Sequence, residues 1–463
     1  MSLKHTQDTN FTKSVKELSR QIFGKSYKKE SMLDRAIDFF AQLSPSQGQE
    51  EPKIKSGTKA CKELELRELE REQRHEHLDT LCRDIIALCE GESFVEDNRK
   101  SSQLLATIQL LSPSEGSKVA LSNELNKPLY KAVLCLRLLD RLCIDNAITE
   151  PYIKERLANL SPLQYQRFSL IDAVAYKRFV DEVKIPLVKA ALLQDIGNNH
   201  PEAQLILKGT NGTKNPFRML DLEDRRKLLQ INYRETVKYL VEGIGVAKYV
   251  GNLKEVRDAF NETEKRKLLF IKGLLKASIN PKKGIGNLLK VPQIYTSIIL
   301  STKPKYDYKL LPKVYQVLYK NAEKGICYHL VVDALRTITG IFPLGYGVTY
   351  IVENFQGEIK YSYEYAIVKM LYPEDPELPI CRTATRNLAF INFGQDIIVP
   401  KERNLHFPMA VEKLNTMSKE RLYEILALLS SNYAERKTLD LIPRCWSANE
   451  YFSMPAHQKL WNK

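Results

Sequence analysis

Apolar positions recur at helical spacing through most of the chain. Short amphipathic helices are predicted around Thr12–Ile22 and Ser31–Leu43, where Ile37, Phe40 and Leu43 share a face. From Cys61 to Cys89 charges of both signs alternate, which predicts a solvent-exposed helix laced with i,i+4 pairs. Residues 100–160 read as helical, with an apolar helix over Leu129–Leu142, and Ser161-Pro162 opens the next unit. The helices then lengthen: Ile171–Val180, Pro186–Leu193, Asp224–Tyr239, Asn252–Lys276, Val291–Leu300 and Lys309–Asn321. After Gly340 the pattern turns to β-branched and aromatic residues broken by turns, which predicts strands at 347–352, 365–368 and 396–399. A last helix over Lys419–Ser430 carries Leu422, Ile425, Leu426 and Leu429 on one face. The tail, with Trp446, Tyr451, Phe452 and Trp461, is too aromatic to be left in water and is expected to dock.

The pattern gives a mainly α fold. It divides into a helical N-terminal region over 1–160 with a linker near 44–60, a helical domain over 161–340, a small β subdomain over 341–410, and a C-terminal helix with its docking tail over 411–463. Leu134, Leu138, Leu139 and Leu142 lie on one side of their helix, a face that would suit a homodimer. The first thirty residues are polar and Lys-rich, and no run of about 18 apolar residues exists to span a bilayer. A cytoplasmic protein is expected. Its eight cysteines form no Cys-x-x-Cys pair and are expected to be free buried thiols. His75 and His77, two residues apart on a helix, do not share a face and read as surface histidines.

Charge sharpens this picture in one place. The net charge is +14, and residues 265–324 hold fourteen Lys or Arg against Asp307 and Glu323, a local excess of +12. Such a segment suits an anionic partner, whether nucleotide, nucleic acid, acidic protein surface or membrane surface, and equally suits a solvated surface that keeps the chain soluble.

One stretch has a more specific look. Ala190-Ala191-Leu192-Leu193-Gln194-Asp195-Ile196-Gly197-Asn198 ends an apolar helix and resembles the Leu-His-Asp-Ile-Gly-Lys segment of the HD superfamily of metal-dependent phosphohydrolases. Gln194 stands at the His position and Asn198 at the Lys position, with the Asp kept as Asp195. Three further stretches, in order, are similar to the HD-GYP branch, whose members hydrolyse cyclic di-GMP. Lys283-Gly284-Ile285-Gly286-Asn287-Leu288 resembles Asp-Gly-x-Gly-Tyr-Pro, and Ser278-Ile279-Asn280 stands where His-His-Glu should precede it. Val291-Pro292-Gln293-Ile294-Tyr295 resembles Val-Ala-Asp-x-Tyr, with Gln293 at the Asp position, and Lys303-Pro304 followed by Tyr306 resembles Arg-Pro-Tyr. Ile338–Gly345 matches the Ile-Gly-Ile-Phe-Pro-x-Gly that follows the domain and leads into strands. The resemblance spans about residues 170–370 and implies an HD-type helical bundle for 161–340.

The resemblance also implies where metals would bind, and those positions have lost their ligands. Gln194, Ser278, Ile279 and Gln293 replace His or Asp, leaving Asp195, and His200 is the sole histidine between 170 and 325. One carboxylate does not hold a catalytic metal pair, so no metal and no cofactor are expected. Lys276, Lys282, Lys283 and Lys290 surround Gly284 and Gly286, where a Lys-rich loop with free N–H groups would receive a phosphate; the alternative is that the glycines only make a tight turn. The expectation is a catalytically inactive bacterial signalling or scaffold protein that binds a partner protein or an anionic nucleotide. Residual cyclic di-GMP phosphodiesterase activity and nucleic-acid binding through 265–324 are the alternatives. The resemblance also requires Gln194-Asp195, the Lys282–Asn287 loop and Gln293 to meet in one cleft, with Lys282 or Lys283 pointing to its opening.

Overall fold

A computed structural model describes residues 8–24, 30–43, 58–157, 160–353, 359–429 and 440–462. The helices α1 (Asn10–Phe23), α2 (Met32–Leu43), α3 (Thr58–Cys89), α4 (Phe94–Leu111) and α5 (Val119–Ile144) come first. From Leu129 to Leu139 every side chain of α5 is buried, charged ones included, so this helix is enclosed on all sides. It packs against α1 and α4 and also against the helices Ile185–Leu193, Asn287–Ile299 and His329–Thr339. Residues 1–160 and 161–340 therefore contribute to one hydrophobic cluster with α5 at its axis. The leucines expected to offer a homodimer face, Leu134, Leu138, Leu139 and Leu142, are all buried inside the chain by these partners. That face is internal and offers nothing to a second copy.

The later helices follow the apolar pattern closely. Ala173–Phe179 runs through a π-helical turn, Val180–Lys184, into Ile185–Leu193, and Leu222–Lys238 and Lys254–Ala277 come next. Pro312 breaks the helix expected over 309–321. Tyr308–Lys313 is a 3₁₀ turn and the α-helix proper is Val314–Glu323.

Strands β1 (Gly347–Glu353), β2 (Ile359–Val368) and β3 (Ile380–Thr383) form the centre of a five-stranded antiparallel sheet. Asp396–Ile398 closes one edge, and Cys445–Trp446, from the tail, pairs with β1 at the other. The aromatic tail is buried: Trp446 Nε1 donates to the Ala366 carbonyl (3.0 Å) and Trp461 Nε1 to that of Lys369 (2.9 Å). The sheet is tied to the helices where Leu371 N–H donates to Ser102 Oγ of α4 at 3.0 Å. Among the described residues no helix is long and apolar enough to cross a membrane. The expected linker, up to residue 57, lies outside the described residues.

The seven described cysteines are free, and six of them are buried. His75 and His77 are half-buried, not surface groups, because α3 is covered along this stretch by its neighbours. Burial, aided by the Lys189 ammonium, pushes His75 down to about 4.

Charged residues inside α5 are held by a sealed ionic cluster. Arg137 Nη2 lies 2.6 Å from Glu90 Oε1 and 2.8 Å from Asp140 Oδ2, and Lys184 Nζ is 2.7 Å from Glu90 Oε1. Tyr165 donates its hydroxyl to Asp140 Oδ1 at 2.7 Å. Asp97, at the edge, accepts from Gly91 N–H (2.6 Å) and faces Arg137 at 3.7 Å. Burial, reinforced by Glu90, raises its carboxyl to about 6 despite Arg137.

Candidate functional site

A second polar cluster lies one to two turns earlier on α5. The Ile185–Leu193 helix ends at Gln194 because the chain turns there into a short 3₁₀ segment, Ile196–Asn199. Gly197 makes that turn fit: a Cβ on it would come 2.2 Å from the Asn232 carbonyl oxygen, so only glycine lets the Leu222–Lys238 helix approach this closely. The approach is fixed by hydrogen bonds. Asn232 Nδ2 donates to the Gln194 carbonyl (3.0 Å), and Gly197 N–H donates to Thr236 Oγ1 (3.1 Å).

Four of the five positions singled out by sequence are brought together here. Gln293 Nε2 donates to Asp195 Oδ1 at 3.2 Å across 98 residues of chain. Gln194 Nε2 reaches Ser278 Oγ at 3.4 Å, and Ser278 donates to the Leu275 carbonyl at 2.8 Å. The two glutamines do not bond each other; Asp195 and its neighbours connect them. Ile279 is turned away, 57% exposed at the surface.

The centre of the cluster is a residue that sequence reasoning missed. Lys131 Nζ donates to Gln194 Oε1 at 3.0 Å and to Asp195 Oδ2 at 2.9 Å. The Lys131 side chain is 6% exposed, whereas that of Asp195 is 48% exposed, so the ammonium lies beneath the carboxylate and the carboxylate is open to solvent. Burial alone would raise the Asp195 carboxyl, but the charge and hydrogen bond of Lys131 outweigh it and hold Asp195 below the usual range. The signal was present in the sequence: Lys131, Arg137 and Asp140 interrupt an otherwise apolar run, and a buried charge needs a partner. Asn232 was missed too, because an amide in a polar helix carries no such signal.

The Gly-x-Gly loop is held partly by its own hydrogen bonds. Gly284 N–H donates to the Pro281 carbonyl (2.7 Å) and Asn287 N–H to that of Gly284 (3.2 Å). Asn287 Nδ2 bonds the carbonyls of Lys282 and Gly284 at 3.0 and 2.9 Å, and its Oδ1 accepts from Tyr328 N–H at 2.8 Å. The N–H groups of Gly284 and Asn287 are thus used within the turn. A Cβ on Gly286 would lie 2.2 Å from the Ala277 carbonyl oxygen, so this glycine serves close packing beside Ser278. Lys276, Lys282 and Lys283 are exposed, and Lys283 Nζ lies 5.8 Å from the centre of the Tyr328 ring. Lys131, and neither Lys282 nor Lys283, meets the Gln194–Asp195 pair. Lys290 differs from the exposed lysines. It is half-buried, one helical turn before Gln293, and burial pushes its ammonium below the ordinary value although Asp195 opposes this.

The donor set does not fit a divalent metal pair. Two amides, a hydroxyl and one carboxylate already paired to an ammonium offer a single anionic ligand, and among the described residues no group of three His, Cys, Asp or Glu is placed to hold a metal. His200 is used elsewhere, its Nδ1 accepting from Glu202 N–H (3.3 Å) at a helix start. Compared with known protein families, curated proteins and solved structures, the chain has no match.

Proposed function

We propose that the chain carries a catalytically inactive HD-GYP-like domain in which the Lys131 ammonium has taken over the charge role of metal ions, and that it acts by binding, as a signalling or scaffold protein, a partner protein or an anionic nucleotide. The observation that carries this reading is the placement of Lys131 between Gln194 Oε1 and Asp195 Oδ2. An ammonium held there satisfies both oxygens and needs no metal to keep the helix ends together. It cannot polarise a water as a pair of divalent cations does, so the arrangement offers a fixed, charged surface and no hydrolytic centre. Supporting the family part of the reading is the meeting of Gln194, Asp195, Ser278 and Gln293, which lie in separate motifs of the resemblance.

The test is a titration of the full chain with Mn²⁺, followed by assay for cyclic di-GMP turnover. The reading expects neither saturable binding of a metal pair nor turnover. Two bound equivalents with hydrolysis would instead establish the phosphodiesterase alternative.

A further inference from the structure

The tail and the sheet enclose a cavity of about 210 Å³ whose lining shares no residue with the Lys131 cluster. Trp446 reaches it from the tail strand paired with β1, Phe390 from the short hairpin strand Ala389–Phe390, and Tyr451 from the helical turn Asn449–Phe452. The three ring centroids are nearly equidistant. Phe390 and Tyr451 are 5.7 Å apart, Trp446 and Tyr451 5.9 Å, and Phe390 and Trp446 6.0 Å, with interplanar angles of 36°, 76° and 43°. A group seated over their common centre therefore lies within roughly 6 Å of all three centroids. Two stacks hold the walls in place: Tyr365 lies on Trp446 at 4.7 Å, and His457 on Tyr451 at 3.8 Å. Phe390, 43% exposed, and Met454, also exposed, leave apolar surface at the opening.

The polar groups of this lining decide the ligand. Its donors are spent elsewhere: Trp446 Nε1 on the Ala366 carbonyl, the Tyr451 hydroxyl on the Ile391 carbonyl at 2.7 Å, and the Ser447 hydroxyl on Asn449 Oδ1 at 2.8 Å. His457 Nδ1 lies 2.8 Å from the Tyr451 carbonyl, which only accepts, so Nδ1 carries the proton and in the neutral ring Nε2 is left as an acceptor. Glu450 adds a carboxylate, and among the described residues no Lys or Arg lines the cavity. We propose that this cavity binds a small organic ammonium ion whose nitrogen carries methyl groups. Aromatic rings attract a cation through their quadrupoles, three of them act here at once, and Glu450 supplies the opposite charge. Methyl groups clothe the cation in apolar surface that packs on Leu429 and the rings, whereas a bare ammonium is strongly hydrated and costs more to bring in. A neutral planar molecule would also stack on the rings but draws nothing from Glu450, and an anion meets a carboxylate of its own sign. The proposal does not depend on the reading of the Lys131 cluster.

The probe is choline, titrated calorimetrically into the full chain at constant ionic strength. Saturable binding with a Kd of about 1 mM or tighter is expected. The neutral analogue 3,3-dimethylbutanol, which has the same shape with carbon in place of the charged nitrogen, should bind about tenfold or more weakly. Phe390→Leu keeps an apolar side chain at the opening but removes one ring, and should weaken choline about threefold to tenfold, while Phe390→Tyr should keep the affinity. Glu450→Gln should weaken it several-fold by removing the carboxylate. Phe390 and Glu450 are both exposed, so their variants should melt where the wild type does without ligand, and choline should raise the melting temperature of the wild type more than that of Phe390→Leu. The proposal is overturned if choline shows no saturable binding, if the neutral analogue binds as tightly as choline, or if Phe390→Leu or Glu450→Gln binds choline as well as the wild type.

Discussion

Helix α5 carries two polar clusters about two turns apart, and their surroundings separate them more than their composition does. Around Arg137 the charges are sealed: Arg137 is fully buried, the Glu90, Asp140 and Lys184 side chains are almost so, and Asp97 keeps a proton up to about pH 6. Below that pH two cations face two carboxylates, and no net charge is left inside. Around Lys131 the carboxylate is half-exposed to solvent, with the ammonium beneath it. A sealed cluster must balance itself, because unpaired charge in low dielectric is expensive; an open one can keep an excess that water and ions screen until a ligand arrives. The first therefore reads as structural, and on the proposed function the second is the surface that binds.

The largest expected effect breaks the sealed cluster. Arg137→Met leaves buried Glu90 and Asp140 with Lys184 as the one cation between them and should cost about 3–5 kcal/mol in urea unfolding. Lowering the pH should reveal the same cluster with opposite consequence. The folded-state carboxyl of Asp97, at about 6, lies above its unfolded value of 3.8, so the folded state binds the proton more tightly. This residue makes the protein less stable as pH rises from about 4 to 7, by on the order of 2 kcal/mol, and Asp97→Asn should remove that slope from a series of unfolding curves.

Effects at the open cluster should be smaller. Lys131→Met leaves Asp195 to Gln293 and water, and should cost only about 1–2 kcal/mol in the same unfolding experiment. A loss as large as that of Arg137→Met would collapse the distinction between the two sites. Asp195 has the reverse linkage of Asp97. Its folded-state carboxyl is lowered, so its contribution is present above the unfolded value and lost as pH falls below it. Since the side chain is half-exposed, solvent screening keeps this to a few tenths of a kcal/mol, seen as a slightly steeper acid loss in wild type than in Asp195→Asn.

Most helices were legible because each one's burial is written in its own residues. Leu422, Ile425, Leu426 and Leu429 share a face in the sequence and are buried together in the structure. The two-residue strand Cys445–Trp446 was not legible, since so short a strand exists only through its pairing with β1. At the candidate site, the order and spacing of motifs pointed to Gln194, Asp195, Ser278 and Gln293. They could not point to Lys131, which lies 63 residues before Gln194 in a region read as a separate unit.

The sequence by itself determined the helical periodicity, the change to strands after Gly340, the scarcity of histidine between 170 and 325 and the local excess of lysine. It did so because these depend on residue type and near neighbours. Only the tertiary structure decided which lysine is spent on Asp195 and that Asn287 ties the glycine loop to Tyr328. A charge is neutralised by whatever lies within a few ångströms of it, and for Asp195 that is Lys131, brought there by the packing of α5 against the Ile185–Leu193 helix.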